Sequence, residues 1–200
     1  MSCWALVPIK ARAACKGRLC GVLEQPARAS LVQAMLQHVL EQLRHCAALD
    51  GIAVMSPQQH GLPTDILWIG DSGAEINESL RAAFCALSAR GAQRCLVIAA
   101  DLPWLTAAEV SALVAASEAT RLALAPDRHG SGTNALALAL PSEFCTRFGP
   151  ASFALHRAES TRLALRPAIV RLPGLEFDVD VPEDLILLAR RPDPRFGVPR

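Results

Sequence analysis

Two aspartates separated by one residue, Asp178 and Asp180, carry the clearest chemical signal in the sequence. They lie in residues 175–181, where apolar and polar residues alternate as in a strand. Alternate residues of a strand face the same side, so the two carboxylates would be adjacent. Adjacent anions repel each other unless a cation lies between them, and hard divalent ions such as Mg²⁺ prefer oxygen ligands. The pair therefore predicts a metal site, whereas a helix-capping role would explain Asp180 alone.

A third aspartate, Asp101, ends an uninterrupted apolar run over residues 96–100. Such a run is typical of a strand that is buried on both faces of a parallel sheet. Ligands of open α/β sheets bind beyond the carboxyl ends of the strands, which would place Asp101 in the ligand crevice. Thr106 and Glu109 then have the spacing of a capping box for the next helix. Position alone equally allows Asp101 to cap a turn.

Four cations follow the first predicted strand, residues 4–9: Lys10, Arg12, Lys16 and Arg18. A triphosphate-binding loop requires such a cluster, although a solvated surface is its usual explanation. The loop lacks the G-x-x-x-x-G-K-[ST] pattern, which excludes a P-loop. The glycine fingerprint of dinucleotide-binding folds is also absent, which argues against a nicotinamide or flavin dinucleotide.

Two loops of small and polar residues, 126–134 and 148–153, could hold anions. In the first, two glycines, a hydroxyl and an amide would let backbone N–H groups approach an anion closely, although an ordinary turn before a strand is an alternative. The second loop opens onto a predicted helix that contains His156 and Arg157. Ser152, near the N-terminus of this helix, again suits an anion.

Predicted strands and helices alternate along the chain and position these residues. Apolar runs predict strands over residues 4–9, 51–55, 66–70, 96–100, 121–125 and 135–140. Helical spacing predicts helices over residues 26–45, from Ile76 to Leu87, after Thr106, after Ser152 and over residues 183–190. The first helix starts either with Pro26 in its first turn or at a Ser30–Gln33 capping box. The alternation predicts a three-layer α/β fold with a mainly parallel central sheet. We expect one domain over residues 1–191 and an irregular surface tail over residues 192–200.

The composition excludes several classes of protein. With 200 residues, 52% of them hydrophobic and 20% charged, the chain is typical of a globular protein. A net charge of +1 provides no general field for nucleic acid or an anionic membrane. The sequence shows neither a signal peptide nor an apolar run of ~20 residues, so we expect a cytoplasmic protein. The seven scattered cysteines argue against a disulfide framework or a zinc site, and we expect them to be core residues.

Several strings of the sequence together resemble one family, the 2-phospho-L-lactate guanylyltransferases. In the family's order these are WALVPIK, CKGRL, AADLPWL, PDRHGSGTNAL, FGPASFALH and FDVDVPEDL, and they span about residues 3–190. The family acts in biosynthesis of the deazaflavin coenzyme F420 and has a nucleotidyltransferase version of the α/β (Rossmann-like) fold. The resemblance implies that GMP is transferred from GTP to the phosphate of 2-phospho-L-lactate, phosphoenolpyruvate or 3-phosphoglycerate, with release of pyrophosphate. It also implies Mg²⁺, a downstream transferase that consumes the product, and a monomer or homodimer.

The same resemblance implies roles for individual residues. It implies Mg²⁺ ligands at Asp101, Asp178 and Asp180, and catalytic groups at Lys16, Arg18 and Asp101. It implies acceptor-binding residues at Thr133, Gly149 and Ser152, and nucleotide-binding residues at Lys10, Lys16, Gly73 and Asn77.

Other functions remain open from the sequence. Another nucleotidyltransferase of this fold, such as a molybdopterin guanylyltransferase or a sugar-phosphate nucleotidyltransferase, usually has a Gly-x-x-x-Arg-Met-Gly loop after the first strand, and this chain lacks it. A glycosyltransferase usually has its Asp-x-Asp motif in the middle of the chain. A nucleotide-binding partner without turnover is the alternative outside enzymes.

Overall fold

A seven-stranded sheet with the order β3-β2-β1-β4-β6-β5-β7 forms the centre of the computed structural model, which describes residues 1–9, 16–59, 61–71, 75–191 and 193–196. Its strands are β1 (Cys3–Pro8), β2 (Gly51–Ser56), β3 (Ile66–Gly70), β4 (Arg94–Ile98), β5 (Leu122–Pro126), β6 (Thr133–Ala139) and β7 (Ala168–Ile169). Strand β6 runs antiparallel to both of its neighbours, while the other pairs are parallel. The prediction of a mainly parallel sheet is confirmed, and the short β7 was not predicted.

The helices pack on both faces of this sheet. They are α1 (Gln25–Arg44), α2 (Ile76–Ala89), α3 (Ala107–Thr120), α4 (Ser152–Arg162), α5 (Pro173–Glu176) and α6 (Pro182–Ala189). Of the two starts considered for α1, the earlier is found, with Pro26 in the first turn. Pro26 suits this position because its fixed φ is already helical and its missing N–H would have no partner there.

Each buried strand contributes side chains to two cores, as a strand covered on both faces must. In β4, Leu96 and Ile98 pack with α1 and α3, whereas Cys95 and Val97 pack with α2 and Phe153 of α4. The layers are therefore helix, sheet and helix, which confirms the predicted three-layer fold.

The antiparallel insertion of β6 brings two distant parts of the sequence to one edge of the sheet. Ile98 of β4 lies opposite Ala135 of β6, and the Ala99 N–H donates to the Asn134 carbonyl over 2.8 Å. The start of β6 therefore lies beside the end of β4, close to Asp101. Strand β6 begins at Thr133, two residues before its predicted start, because its pairing with β5 continues to Pro126 across an irregularity.

The prediction of a strand over residues 175–181 is wrong. The helical turn α5 ends at Glu176, and residues 177–181 continue as chain that belongs to no strand of the sheet. Pro173 favours the first turn of a helix, and the Gly174 N–H donates to the Glu109 carboxylate over 2.7 Å. The apolar alternation instead reflects burial of Phe177 and Val179 against α1 and α6.

Two further expectations are corrected in part. Cys3, Cys46 and Cys95 are buried as expected, whereas Cys20, Cys85 and Cys145 are exposed. The small side chain of cysteine tolerates both environments, so its type alone does not indicate burial.

The described part of the tail, residues 193–196, is more ordered than expected. It forms a 3-10 turn in which Phe196 is buried. Arg195 contacts His38 and Glu41 of α1, at 3.0 and 3.3 Å. Within the described residues, no helix is both long enough and apolar enough to span a bilayer.

Candidate active site

Lys16 lies at the centre of the candidate site. It has a left-handed backbone conformation, with φ of 57°, immediately before a 3-10 turn that buries Leu19. Its ammonium donates to the Asp101 carboxylate and, over 2.6 Å, to Oδ1 of Asp180. Burial acts to lower the pKa of Lys16, but the two carboxylates outweigh it and raise that pKa above its usual value. Lys16 is therefore a fixed positive charge at the edge of the sheet.

Asp178 adds a third carboxylate to this cluster. Burial, followed by the nearby carboxylates of Asp101 and Asp180, raises the pKa of Asp178 to about 6. The Asn134 amide donates to Asp178 over 3.3 Å and also to the Leu175 carbonyl over 3.0 Å. Two carboxylates therefore contact one ammonium and a third lies near those two, so acidic groups outnumber the cation in this cluster.

Asp184 holds the segment that carries Asp180. Its buried carboxylate accepts the backbone N–H groups of Asp180 and Val181 over 2.7 and 2.9 Å, and it pairs with Arg128. Sequence analysis assigned no role to Asp184. The available signal was its position in the first turn of α6, where a carboxylate accepts unpaired N–H groups.

The predicted acceptor-binding residues contact one another where β6 and α4 begin. The Thr133 N–H donates to Oγ of Ser152, the first residue of α4, over 2.9 Å. The Ser152 N–H in turn reaches the Gly149 carbonyl at 3.2 Å. Gly149 has φ of 135°, in the region that favours glycine, so a side chain there would strain the turn into α4.

A cavity of about 570 Å³ is lined by part of these groups. Its lining includes Lys16, Arg18, Asp101, Thr133, Phe148 and Asp180. Carboxylates, two cations and a threonine therefore line the same cavity. A cavity of this size with charged groups in its lining suits a small polyanionic ligand.

Of the predicted nucleotide-binding residues other than Lys16, the structure describes only Asn77. Lys10 and Gly73 lie outside the described residues. The Asn77 side chain donates to the Phe148 carbonyl over 3.0 Å and accepts the Phe148 N–H over 2.7 Å. Asn77 therefore holds α2 against the loop before α4, and its assignment to nucleotide binding stays a prediction.

Comparison with known families shows to which family the chain belongs. The family described as "Guanylyl transferase CofC like" matches residues 3–190. The chain belongs to this family. A phosphoenolpyruvate guanylyltransferase from Sphaerobacter thermophilus is 39% identical over 193 residues, which cover 94% of this chain and 93% of that protein. The relative from Chloroflexus aurantiacus with the same name is 36% identical over 90% of this chain and 91% of its own.

Solved structures support the fold of this guanylyltransferase. A candidate nucleotide-diphospho-sugar transferase from Desulfovibrio desulfuricans superposes with a TM-score of 0.79 at 17% identity, covering 99% of this chain and 94% of its own. A 4-diphosphocytidyl-2C-methyl-D-erythritol synthase from Anaerococcus prevotii gives a TM-score of 0.62 at 10% identity, covering 95% of each chain. At these identities the likeness extends to the fold alone. Family membership makes this chain an enzyme of the guanylyltransferase class, and the alternative of a partner without turnover is set aside.

The aspartates of this guanylyltransferase fit Mg²⁺ in type and charge. Over the parts of the chain that the structure describes, however, no three carboxylate, thiol or imidazole side chains are arranged to share one ion. The reason is local, since the Lys16 ammonium contacts Asp101 and Asp180 while Asn134 holds Asp178. A divalent ion shared by the aspartates would require the Lys16 ammonium to move from between them.

The buried ring of His156 makes the stability of the enzyme depend on pH. Burial lowers the pKa of His156 to about 4, although the nearby Glu159 carboxylate acts in the opposite direction. The unfolded chain, with a histidine pKa of ~6.5, therefore binds more protons than the folded one below that pH. The stabilisation from this residue is complete above pH 6.5 and is lost as the pH falls towards 4.

We expect the free energy of unfolding to fall by about 2 kcal/mol more in the wild type than in His156→Gln between pH 7 and pH 5. Urea denaturation at both pH values measures this difference. The pKa of Glu159 is lowered to about 2, chiefly by its hydrogen bonds with Arg162, so its own stabilisation is lost only below about pH 4.5. Parallel pH dependence in the two proteins would contradict the assignment of a neutral ring.

Proposed function

We propose that this enzyme transfers GMP from GTP to the phosphate of a small three-carbon phospho-acid and releases pyrophosphate. The observation that carries the proposal is that the paired Lys16, Asp101 and Asp180 line the same cavity as Thr133. Two anions can thus be held next to each other, as the transfer requires. Phosphoenolpyruvate is our first candidate for the acceptor because the relatives at 39% and 36% identity are named for it.

In the proposed reaction, an oxygen of the acceptor's phosphate attacks the α-phosphorus of GTP. A new P–O bond forms, the bond between the α-phosphorus and the bridging oxygen breaks, and pyrophosphate leaves with the electron pair. The second pKa of a phosphomonoester is ~6, so the nucleophile is already ionised at neutral pH. The reaction therefore needs no general base, and catalysis consists of positioning two anions and reducing their repulsion.

The charged residues of the cavity and the aspartates next to it would supply that electrostatic control. We assign Lys16 and Arg18 to the triphosphate, because Lys16 is held as a cation and Arg18 is exposed beside it on the cavity wall. We assign Asp101, Asp178 and Asp180 to Mg²⁺, which would neutralise charge on the phosphates when it is bound. Asn134 keeps Asp178 in place, and Asp184 holds the backbone of Asp180.

The residues where β6 and α4 begin would hold the acceptor. Thr133 and Ser152 offer donors, and Gly149 permits the tight turn that begins α4. We place the activity in coenzyme F420 biosynthesis, where a downstream transferase would consume the guanylylated acid, and we propose that the enzyme acts as a monomer or homodimer.

Pyrophosphate release tests this function. We expect release with GTP, Mg²⁺ and phosphoenolpyruvate, and at least tenfold less with ATP in place of GTP. Parallel assays with 2-phospho-L-lactate and 3-phosphoglycerate compare the acceptors, and coupling to the downstream transferase removes the product as it forms. Chelation of Mg²⁺ by EDTA should abolish release. Comparable turnover with ATP would contradict the nucleotide assignment, and absence of release with all three acceptors would contradict the function.

A further inference from the structure

The ring of His156 on α4 is fully buried, and its neighbours determine which of its two nitrogens carries the proton. The backbone N–H of Arg147 points to Nε2 of His156 over 2.8 Å. A backbone N–H can only donate, so Nε2 acts as the acceptor and carries no proton. In the neutral ring the proton is therefore on Nδ1. The lowered pKa of His156 is consistent with a neutral ring at pH 7.

This tautomer determines the direction of a neighbouring hydroxyl. Nδ1 of His156 lies 2.9 Å from Oγ1 of Thr133, so Nδ1–H donates and the Thr133 oxygen accepts. The hydroxyl hydrogen of Thr133 must then point away from the ring. Among the described residues, this hydroxyl makes no other hydrogen bond.

The Ser152 hydroxyl is oriented in a similar way. Its oxygen accepts the backbone N–H of Thr133, so its own hydrogen also points elsewhere. Thr133 and Ser152 are only 7% and 2% exposed. A buried hydroxyl hydrogen without an acceptor is unfavourable, and a ligand oxygen that accepts both hydrogens would remove that cost.

We propose that His156 is a positioning residue, which donates to Thr133 so that the hydroxyl hydrogen of Thr133 points into the cavity at an anionic oxygen of the acceptor. Thr133 lines this cavity together with Lys16 and Asp101, and Ser152 supplies the second hydrogen. A wall that only donates selects a carboxylate or phosphate oxygen and disfavours groups that carry their own hydrogens. This inference rests on the proposed function.

Two substitutions at the same position separate the two hydrogen bonds of the ring. Asparagine keeps an N–H near the position of Nδ1, so His156→Asn preserves the donor to Thr133. Glutamine reaches the position of Nε2, so His156→Gln preserves the acceptor for Arg147 but loses the donor. His45→Gln, on the exposed end of α1, is the matched control.

We expect His156→Gln to raise KM for phosphoenolpyruvate roughly tenfold or more, with KM for GTP unchanged. His156→Asn should stay within about threefold of the wild type, because the donor to Thr133 remains. Thr133→Val should raise the same KM by about ten- to a hundredfold, and adding His156→Gln to it should have little further effect. Equal increases in the Asn and Gln variants, or additive effects in the double variant, would overturn the proposal.

A second measurement does not depend on turnover. The nitrogen chemical shifts of the His156 ring in ¹⁵N-labelled wild-type protein report the tautomer directly, and we expect the proton on Nδ1. A proton on Nε2 would overturn the proposal even if all variants lost activity. A wild-type enzyme that releases no pyrophosphate with any of the three phospho-acids would contradict the proposed function instead, an outcome distinct from altered behaviour of the variants alone.

Discussion

Replacing Asp101 by asparagine is expected to lower kcat by about 10²- to 10³-fold while leaving the fold intact. The substitution keeps the shape of the side chain but removes the charge that contacts Lys16 and that we assign to Mg²⁺. Asp180→Asn should have a similar effect, because Asp180 contacts the same ammonium. Pyrophosphate release at saturating GTP and phosphoenolpyruvate measures both variants.

Asp65→Asn provides the matched control for these variants. Asp65 precedes β3, at the end of the sheet opposite Asp101, and forms an exposed ion pair with Arg44 over 2.8 Å. Exposed pairs of this kind contribute little, so kcat should change by less than roughly twofold. If Asp101→Asn and Asp180→Asn both kept kcat within tenfold of the wild type, the catalytic and metal assignments would be wrong.

Replacing Gly174 by alanine is expected to lower the free energy of unfolding by about 2–4 kcal/mol. A Cβ at this position would overlap the Glu109 carboxylate and the Trp104 carbonyl, and would lie 2.8 Å from Cα of Leu105. Two of these three neighbours are backbone atoms next to α3, so the contact is relieved only if α5 moves. Urea denaturation measures the loss, and the melting temperature should fall by about 5–12 °C.

Gly21→Ala is the control for this substitution. A Cβ at Gly21 would meet no atom of the described residues within 4 Å, and Gly21 is not among the glycines with positive φ. We expect the free energy of unfolding of this variant to lie within about 1 kcal/mol of the wild-type value. A Gly174→Ala protein that matches Gly21→Ala in stability would show that α5 can move away from α3 at little cost.

The effect of Gly174→Ala should also extend to turnover. Glu109 caps α3 through Thr106 and accepts the Gly174 N–H, so it ties the loop after Asp101 to the segment before Asp178. The Val179 N–H makes a second link, to the Asp101 carbonyl over 3.3 Å. Displacing α5 would therefore move the carboxylates relative to one another.

The parts of the fold that depend on local pattern could be predicted from the sequence. The strand that ends before Asp101 was predicted because an apolar run signals burial on both faces wherever it occurs. The capping box of Thr106 and Glu109 was predicted because its two bonds lie within four residues, and both are found. Residues 175–181 have an equally clear local pattern, but the Gly174–Glu109 contact and the burial of Phe177 place them outside the sheet.

The supporting residues of the site could not be predicted because their contacts are distant in sequence. Asn134 reaches Asp178 across 44 residues, and Asn77 reaches Phe148 across 71. His156 had no ligand spacing that would mark it, since its partner Thr133 lies on another element. These contacts exist only once β6 and α4 have packed against the sheet.

The position of β6 also has a consequence during synthesis of the chain. Strands β1 to β4 lie side by side in the sheet and can pair once Ile98 has emerged from the ribosome. The free side of β4 then has no partner until residues 133–139 emerge, because β5 lies beyond β6 and does not pair with β4. An unpaired apolar strand is a template for association with other chains. We therefore expect the nascent chain to be most exposed to aggregation and to chaperone binding after residue 98 has emerged and before residue 139 has emerged. A translational pause in this interval would prolong that exposure.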